Sequence, residues 1–474
     1  MTTASLQLTL LNASSQPATH HHHVSLGVQL TFMGILVAMI LSLALEEKIH
    51  AKKSVIVGVF AVLCLFLGEV LHLLPIGKVV NVFGETIALP VYIPAVDWGV
   101  IAIILGSSIF VDVTSKSGLF TWIAIRLTKA SSGDPVRLLV SYGVMTVVFS
   151  AVLNNVTAMI IVGSLTGVSL RKLGREDKLL GFLLIEGLLT NIGGLLTLIS
   201  SVPNIIVGTA AKISFVKFFL VASPFVTAAT AATLLLGAKL FKIRGLKSDE
   251  ERREARDLVG GFDENDGIES RTFFWFGAAM TVAFIATIAT TSVLPYVSEL
   301  GMGYVALTFA VIMLVRYKSE ADSFYRAIDW DLLGFFACLF VVINVMEHAQ
   351  VLAMIGQGLA QVIQLGPTLG AGLILVLAAA ASSVTDNIPL SAMLAKILVG
   401  LNTPASSPLW WAVVFGSNLG GNLTPIGSAS TLVAVTIIQK NKLELSFGAF
   451  VKLAIPYALM QLALASAYVL LFLR

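Results

Sequence analysis

Long stretches without a charged residue dominate this chain. Leu26–Leu45, Leu138–Leu170, Phe218–Ala238 and Phe273–Ser298 contain no Asp, Glu, Lys or Arg. Each reaches or exceeds the roughly 20 residues that an α-helix needs to cross ~30 Å of hydrocarbon. A membrane β-barrel would instead show short segments of alternating polarity. The pattern predicts an all-α polytopic membrane protein.

The polar positions between the apolar runs orient the chain. Lys48, Lys52 and Lys53 follow the first run and mark a cytoplasmic end, which leaves the N-terminus outside. A second helix over about Ser54–Leu74 leads to an outer segment poor in basic residues, and a third begins at Asp97-Trp98. Basic clusters flank Leu138–Leu170 on both sides: Arg126, Lys129 and Arg137 before it, Arg171, Lys172, Arg175 and Lys178 after it. A re-entrant hairpin tipped at Asn154-Asn155 keeps both clusters inside. Gly245–Arg271 is the only long polar stretch and reads as a partly helical, solvated cytoplasmic linker.

The two sides of that linker are related. Val96-Asp97-Trp98 matches Ile328-Asp329-Trp330, and at the same offset Val111-Asp112-Val113 meets Ile343-Asn344-Val345 and Asn154-Asn155 meets Asp386-Asn387. At a slightly shorter offset Thr190-Asn191-Ile192-Gly193-Gly194 matches Ser417-Asn418-Leu419-Gly420-Gly421, followed by Leu196-Thr197 with Leu423-Thr424, Ile199 with Ile426 and Ser201 with Ser428. The chain is a duplicated unit. Five crossings separate Asp97 from Asp329, an odd number that turns the second unit over. The flanks of the second hairpin, Pro367–Leu401, carry no basic residue, as an outside position requires. Inverted repeats with interrupted helices are the pattern of secondary transporters. The expected organisation is a polar tail (1–25), peripheral scaffold helices (26–96), repeat 1 (97–244) with hairpin 138–170 and broken helix 180–210, the linker (245–271), scaffold helices (272–328), and repeat 2 (329–474) with hairpin 367–401 and broken helix 409–438.

Each repeat joins a hairpin tip to a break in a helix. Gly193-Gly194 with Pro203, and Gly420-Gly421 with Pro425, interrupt what would otherwise be continuous helices. Unwound backbone at membrane depth is tolerated where it lines a cavity or is buried in protein, and its carbonyls can coordinate Na⁺ while helix N-termini face an anion. The candidate substrate and ion ligands are Asn154, Asn155, Thr157, Asn191, Thr197, Ser200, Ser201 and Asn204 in the first half. Asp386, Asn387, Asn418, Asn422, Thr424 and Ser428 are those of the second. A Na⁺ site near Asn155, Asn191, Asp386 and Asn418 is expected, with no other cofactor. For a single Gly-Gly pair ordinary small-residue helix packing is the simpler account; two symmetry-related Asn-x-Gly-Gly breaks favour a binding site.

Charges inside the apolar spans are few. From Val351 to Ile438 only Asp386 and Lys396 are charged, and a carboxylate at bilayer depth costs roughly 2.5–3.5 kcal/mol. Asp386 is therefore expected to hold a Na⁺ or a proton. Glu186, four residues before Thr190, is expected on the side of its helix that faces the break, as a second coupling group. Asp112 and Glu347 lie near helix ends within reach of water; Asp97 and Asp329, each beside a Trp, read as caps or interface anchors.

Composition agrees and excludes other classes. Hydrophobic residues make up 57% and charged residues 12% of the 474, too little charge to cover a soluble protein of this size. The net charge of +3 is too balanced for a nucleic-acid footprint. Cys64 and Cys338, both inside apolar runs, read as small buried side chains and not as a disulfide. His20–His23 read as part of a solvated tail, and Leu26–Leu45, with no basic region before it, as a retained helix and not a signal peptide.

The same residues carry a resemblance. Leu153-Asn154-Asn155-Val156-Thr157, Thr190-Asn191-Ile192-Gly193-Gly194, Val202-Pro203-Asn204, Thr385-Asp386-Asn387-Ile388-Pro389 and Leu423-Thr424-Pro425-Ile426-Gly427-Ser428 resemble the motifs of the ion transporter superfamily. That group includes arsenite permeases, P proteins, NhaD-type Na⁺/H⁺ antiporters and citrate/dicarboxylate carriers. The resemblance covers about Asp97 to the C-terminus. It implies a homodimer in which a scaffold domain holds a moving domain that carries both hairpins in an elevator-like cycle, in the plasma (inner) membrane if the protein is bacterial. P-protein and NhaD-like members commonly carry Asp at the positions of Asn154 and near Ser201, so two cation ligands are neutral here. Asp386 is retained as in those groups, whereas Thr424-Pro425-Ile426-Gly427-Ser428 with Ser430-Thr431-Leu432 resembles the arsenite permease pattern.

The favoured reading is a carrier of a small anion, carboxylate or metalloid oxyacid coupled to Na⁺ or H⁺; the alternative is a Na⁺/H⁺ antiporter using Asp386 and Glu186. The inverted duplication argues against a channel. No His-Glu-x-x-His pattern and no serine–histidine pair within the spans supports an enzyme.

Overall fold

In lipid every backbone N–H and C=O must be satisfied within the chain, which leaves helices as the element available to these apolar runs. The computed structural model describes residues 24–74, 78–80, 84–153 and 155–473; the His20–His23 tract and Asn154 lie outside them. Among the described residues nine helices are long and apolar enough to cross a membrane. This is an integral membrane protein. One feature departs from the all-α expectation: a small antiparallel ribbon, Lys78–Val80 against Thr86–Ala88, lies in the segment before Asp97.

Polar residues start the helices. Asp97 accepts from the Val100 N–H and Asp329 from the Leu332 N–H, so both aspartates are caps. The tryptophan after each donates its indole N–H to a carbonyl five residues back, Trp98 to Ile93 and Trp330 to Tyr325. In the linker Asp249–Gly260 is a helix that opens with a reciprocal capping box between Ser248 and Glu251.

Each half contains a helical hairpin and a broken helix. The hairpins are Pro135–Val152 with Asn155–Lys172, and Pro367–Ser382 with Asn387–Gly400. The broken helices are Leu179–Gly193 with Val202–Ala210, and Pro408–Gly420 with Ala429–Lys440. Each half also has a short helix the apolar pattern left unassigned, Leu119–Ala130 and Val351–Ile363, entered through a left-handed residue at Gly118 (φ 81°) and Gln350 (φ 58°).

Leu179–Gly193 and Pro408–Gly420 are buried on nearly every face and form the centre of the molecule. Their glycines admit the hairpins. A Cβ on Gly193 would lie 2.6 Å from the Val147 carbonyl oxygen and 2.9 Å from the Ser150 Cβ, and one on Gly420 would collide with the Ala379 carbonyl and the Ser382 Cβ. Val147 and Ala379, like Ser150 and Ser382, are repeat-related positions. Around this centre Lys53–Val70 packs on Trp330–His348 and Trp98–Lys116 on Val297–Arg316. A Cβ on Gly106 would sit 2.5 Å from the Ala306 carbonyl carbon, which shows how closely the latter pair approaches. Cys64 and Cys338 are free thiols.

Candidate functional site

A helix that stops inside the molecule leaves carbonyls at one end and N–H groups at the next start without partners. Here side chains take the carbonyls. The Ser150 hydroxyl donates to the Thr190 carbonyl (2.6 Å) and the Thr197 hydroxyl to that of Ala151 (2.6 Å). The second half repeats both bonds, Ser382 to Ser417 (2.5 Å) and Thr424 to Ser383 (2.5 Å). Ser200 and Asn204 both donate to the Gly194 carbonyl (2.6 Å each), and Thr431 to that of Gly421 (3.1 Å).

The asparagines before the glycine pairs tie the two halves together. Asn191 donates to the Asn422 side-chain oxygen (2.8 Å) and to Thr431 (3.2 Å), and its own oxygen accepts from Ser428 (2.9 Å) and Ser430 (3.0 Å). Asn418 accepts from Ser201 (2.8 Å) and donates to the Asn204 side-chain oxygen (3.0 Å). Each asparagine thus holds the broken-helix loop of the other half. Both are buried and fully engaged, so Asn191 and Asn418, with Asn204 and Asn422, form the network behind the site and do not line its cavity. Thr197 and Thr424 likewise hold backbone. Asn422 further accepts no water-facing role: its amide donates to Gln461 (2.8 Å) and to the Leu188 carbonyl (3.2 Å).

In front of this network lies a cavity of about 320 Å³. Both hairpin tips reach it through Asn155, Thr157 and Asn387, and both loops through Ser200, Ser201, Pro203, Ser428 and Ser430; Ser108, Asp112 and Asp329 close it from outside. Four helices of the hairpins and broken helices begin at its wall, Asn155–Lys172, Val202–Ala210, Asn387–Gly400 and Ala429–Lys440, and a fifth, Trp330–His348, begins there behind its Asp329 cap. Pro203 sits in the first turn of its helix, where no N–H is required, while Pro425 lies in the loop. Each helix start carries the equivalent of roughly half a positive charge. The volume suits a small molecule, and the helix starts favour an anion, while the Asp112 and Asp329 carboxylates put negative charge on the same wall.

The expected Na⁺ ligands are not gathered round one point. Asn155 lines the central cavity, with its side-chain oxygen accepting from Ser150 (2.6 Å); Asn191 and Asn418 are committed as above. Asp386 caps its own helix through the Ile388 N–H (3.0 Å) and faces a second cavity, where the Lys53 ammonium lies 2.5 Å from its carboxylate. Among the described residues no group of three or more His, Cys, Asp and Glu could hold a metal ion. Glu186 departs from expectation in direction. It is fully enclosed and faces hairpin 1, where Oε1 accepts from the Thr166 hydroxyl (2.6 Å); Oε2 has no partner among the described residues. It does not line the cavity at the break. Glu347 reaches the surface in a half-exposed ion pair with Lys396 (3.1 Å). Sequence reasoning missed Lys53 as a partner of the hairpin, because it counted only as a boundary charge. It also missed Gln461, whose lone amide in the apolar run 447–472 was a readable signal.

The family model for citrate transporters matches residues 76–416. A 46 kDa membrane protein of Mycobacterium leprae (strain TN) is 30% identical over 384 residues, covering 79% of this chain and 86% of its own. The P protein of Sus scrofa is 23% identical over 528 residues, covering 96% of this chain and 60% of its own. Among solved structures the Alcanivorax borkumensis YdaH transporter superposes with a TM-score of 0.55 at 16% identity, covering 88% of this chain and 98% of that one; the likeness is one of fold.

Proposed function

We propose that this chain, which belongs to the citrate transporter family, carries a small anion such as a carboxylate or a metalloid oxyacid, driven by Na⁺ or H⁺. The protein is a secondary transporter; its cargo and its driving ion are the proposal. The observation that carries the reading is the cavity into which the helix starts of both hairpins and both broken helices project with neutral hydroxyls and amides, closed from outside by Asp112 and Asp329. The side formed by helix starts and neutral donors stabilises negative charge without a fixed cation, so the anion can also leave.

In the proposed cycle both hairpins and both broken helices move as one body, because the bonds of Asn191 and Asn418 tie the halves together. They slide against a scaffold built from the peripheral helices in an elevator-like motion, within a homodimer. Na⁺ would bind beside Asn155 or at Asp386 once Lys53 has withdrawn. The test is a panel in proteoliposomes: citrate, shorter dicarboxylates, phosphate and arsenite, under imposed Na⁺ and pH gradients. Accumulation of one anion under one gradient is expected. Failure of every panel member, with Na⁺-dependent proton release in its place, would select the alternative of a Na⁺/H⁺ antiporter, which the enclosed carboxylate of Glu186 favours.

A further inference from the structure

Glu186 is a carboxyl group in the wrong place for anion binding. It is 0% exposed, its Oε1 accepts one hydroxyl bond, and its Oε2 has none among the described residues. An ionised carboxylate left so would cost several kcal/mol. A cation bound there would want several oxygens, and one hydroxyl is what Glu186 has beside it.

The duplication supplies an internal control. By the spacings that align Asn155 with Asn387 and Thr190 with Ser417, Glu186 corresponds to Val413 and Thr166 to Leu398, both buried apolar residues. The fold therefore builds this place without an acid. Further polar residues of the first half lose their counterparts in the same way. Tyr142 joins Ser169 (2.6 Å) and Thr128 (2.6 Å) in a buried hydroxyl chain, and Ser169 lies one helical turn from Thr166 on the same arm. Their counterparts are Ile374, Leu401 and Ala360. At these five positions the polar residues belong to the first repeat alone.

The hydroxyl chain has a direction. Thr128 adjoins Lys129, which lies in the basic cytoplasmic cluster 3.9 Å from Glu264. Tyr142 is the titratable side chain that faces Glu186 from the packed helices. Arg137, Arg171, Lys172, Lys217, Lys239 and Lys440 lie exposed at the ends of those helices, with Glu176, Asp177 and Lys178 in the turn before its own.

We propose that Glu186 binds and releases a proton of the transport cycle, exchanged with the cytoplasmic side along the Thr166, Ser169, Tyr142 and Thr128 hydroxyls. This deepens the reading of a coupled carrier and rests on it for the cycle, but not for the site. The proton adds to the carboxylate and returns to water; no other bond is made or broken.

Infrared difference spectra of the reconstituted protein, taken after pH jumps, use the proton itself as probe. The wild type is expected to show a protonated carboxylic acid band that Glu186→Gln abolishes and that Asp112→Asn and Asp386→Asn leave in place. Thr166→Val, which keeps the acid, should shift the band to a higher frequency. Tyr142→Phe should keep it but slow its response to a jump on the cytoplasmic side. A wild type without such a band, or a band that persists in Glu186→Gln, would overturn the assignment; an unslowed response in Tyr142→Phe would overturn the path. None of these readings needs a cargo, so a transport panel that fails counts against the proposed function alone.

Discussion

Lys53 and Asp386 offer the sharpest test of how the second hairpin is held. The perturbation is Lys53→Met, which keeps the length of the side chain and removes its charge. The two groups lie 2.5 Å apart with side chains 28% and 14% exposed. Breaking a fully buried pair costs about 3–5 kcal/mol and an exposed one about 0–1. This pair lies between, at ~2 kcal/mol, which corresponds to roughly thirtyfold in an equilibrium between held and released tips. The two single variants should differ. Asp386→Asn leaves Lys53 with Glu46 at 3.7 Å, whereas Lys53→Met leaves Asp386 with one backbone N–H, so Lys53→Met should be the more severe. The double variant should recover most of the loss. Hydrogen exchange over residues 383–388 reads this directly, since amide protection follows local opening. Exchange at the wild-type rate in Lys53→Met, or losses that simply add in the double variant, would refute the reasoning.

Four further outcomes follow from the geometry. Gly420→Ala would drive a methyl into the Ala379 carbonyl and should lower stability by about 1–3 kcal/mol or more in detergent melts, whereas Gly400→Ala, with open space around it, should be neutral or stabilising. Asn418→Ala strips the partners of Ser201 and the Asn204 amide oxygen and should cost about 1–3 kcal/mol by the same measurement. Val202→Asp places a negative charge at a helix start on the cavity wall; its fold should hold, gaining about 0.3–1 kcal/mol from the helix, while binding of the anion proposed as cargo, measured by calorimetry, falls. Lys396→Ala breaks a half-exposed pair with Glu347 and should change stability by less than about 1 kcal/mol.

Apolar runs, caps and the duplicated Asn-x-Gly-Gly signals were enough to determine a membrane protein with two hairpins, two broken helices, and Asp97 and Asp329 as helix starts. These features are local: hydrocarbon demands helices, and glycine pairs and prolines stop them wherever the rest of the chain lies. The short helices Leu119–Ala130 and Val351–Ile363 escaped because 12 or 13 residues are too few for a crossing signal. What each polar group does was decided only by tertiary contact. Asn191 and Ser201 look alike as candidate ligands, yet the fold turns the first into a strut between repeats and leaves the second on the cavity wall. Glu186 was assigned to the break by its spacing from Thr190, but neighbours on hairpin 1 claim its carboxyl group. Lys53 and Asp386 are separated by most of the chain, and no periodicity announces their pairing. A side chain's spacing along a helix fixes its angle about that helix; what stands opposite is supplied by another part of the chain.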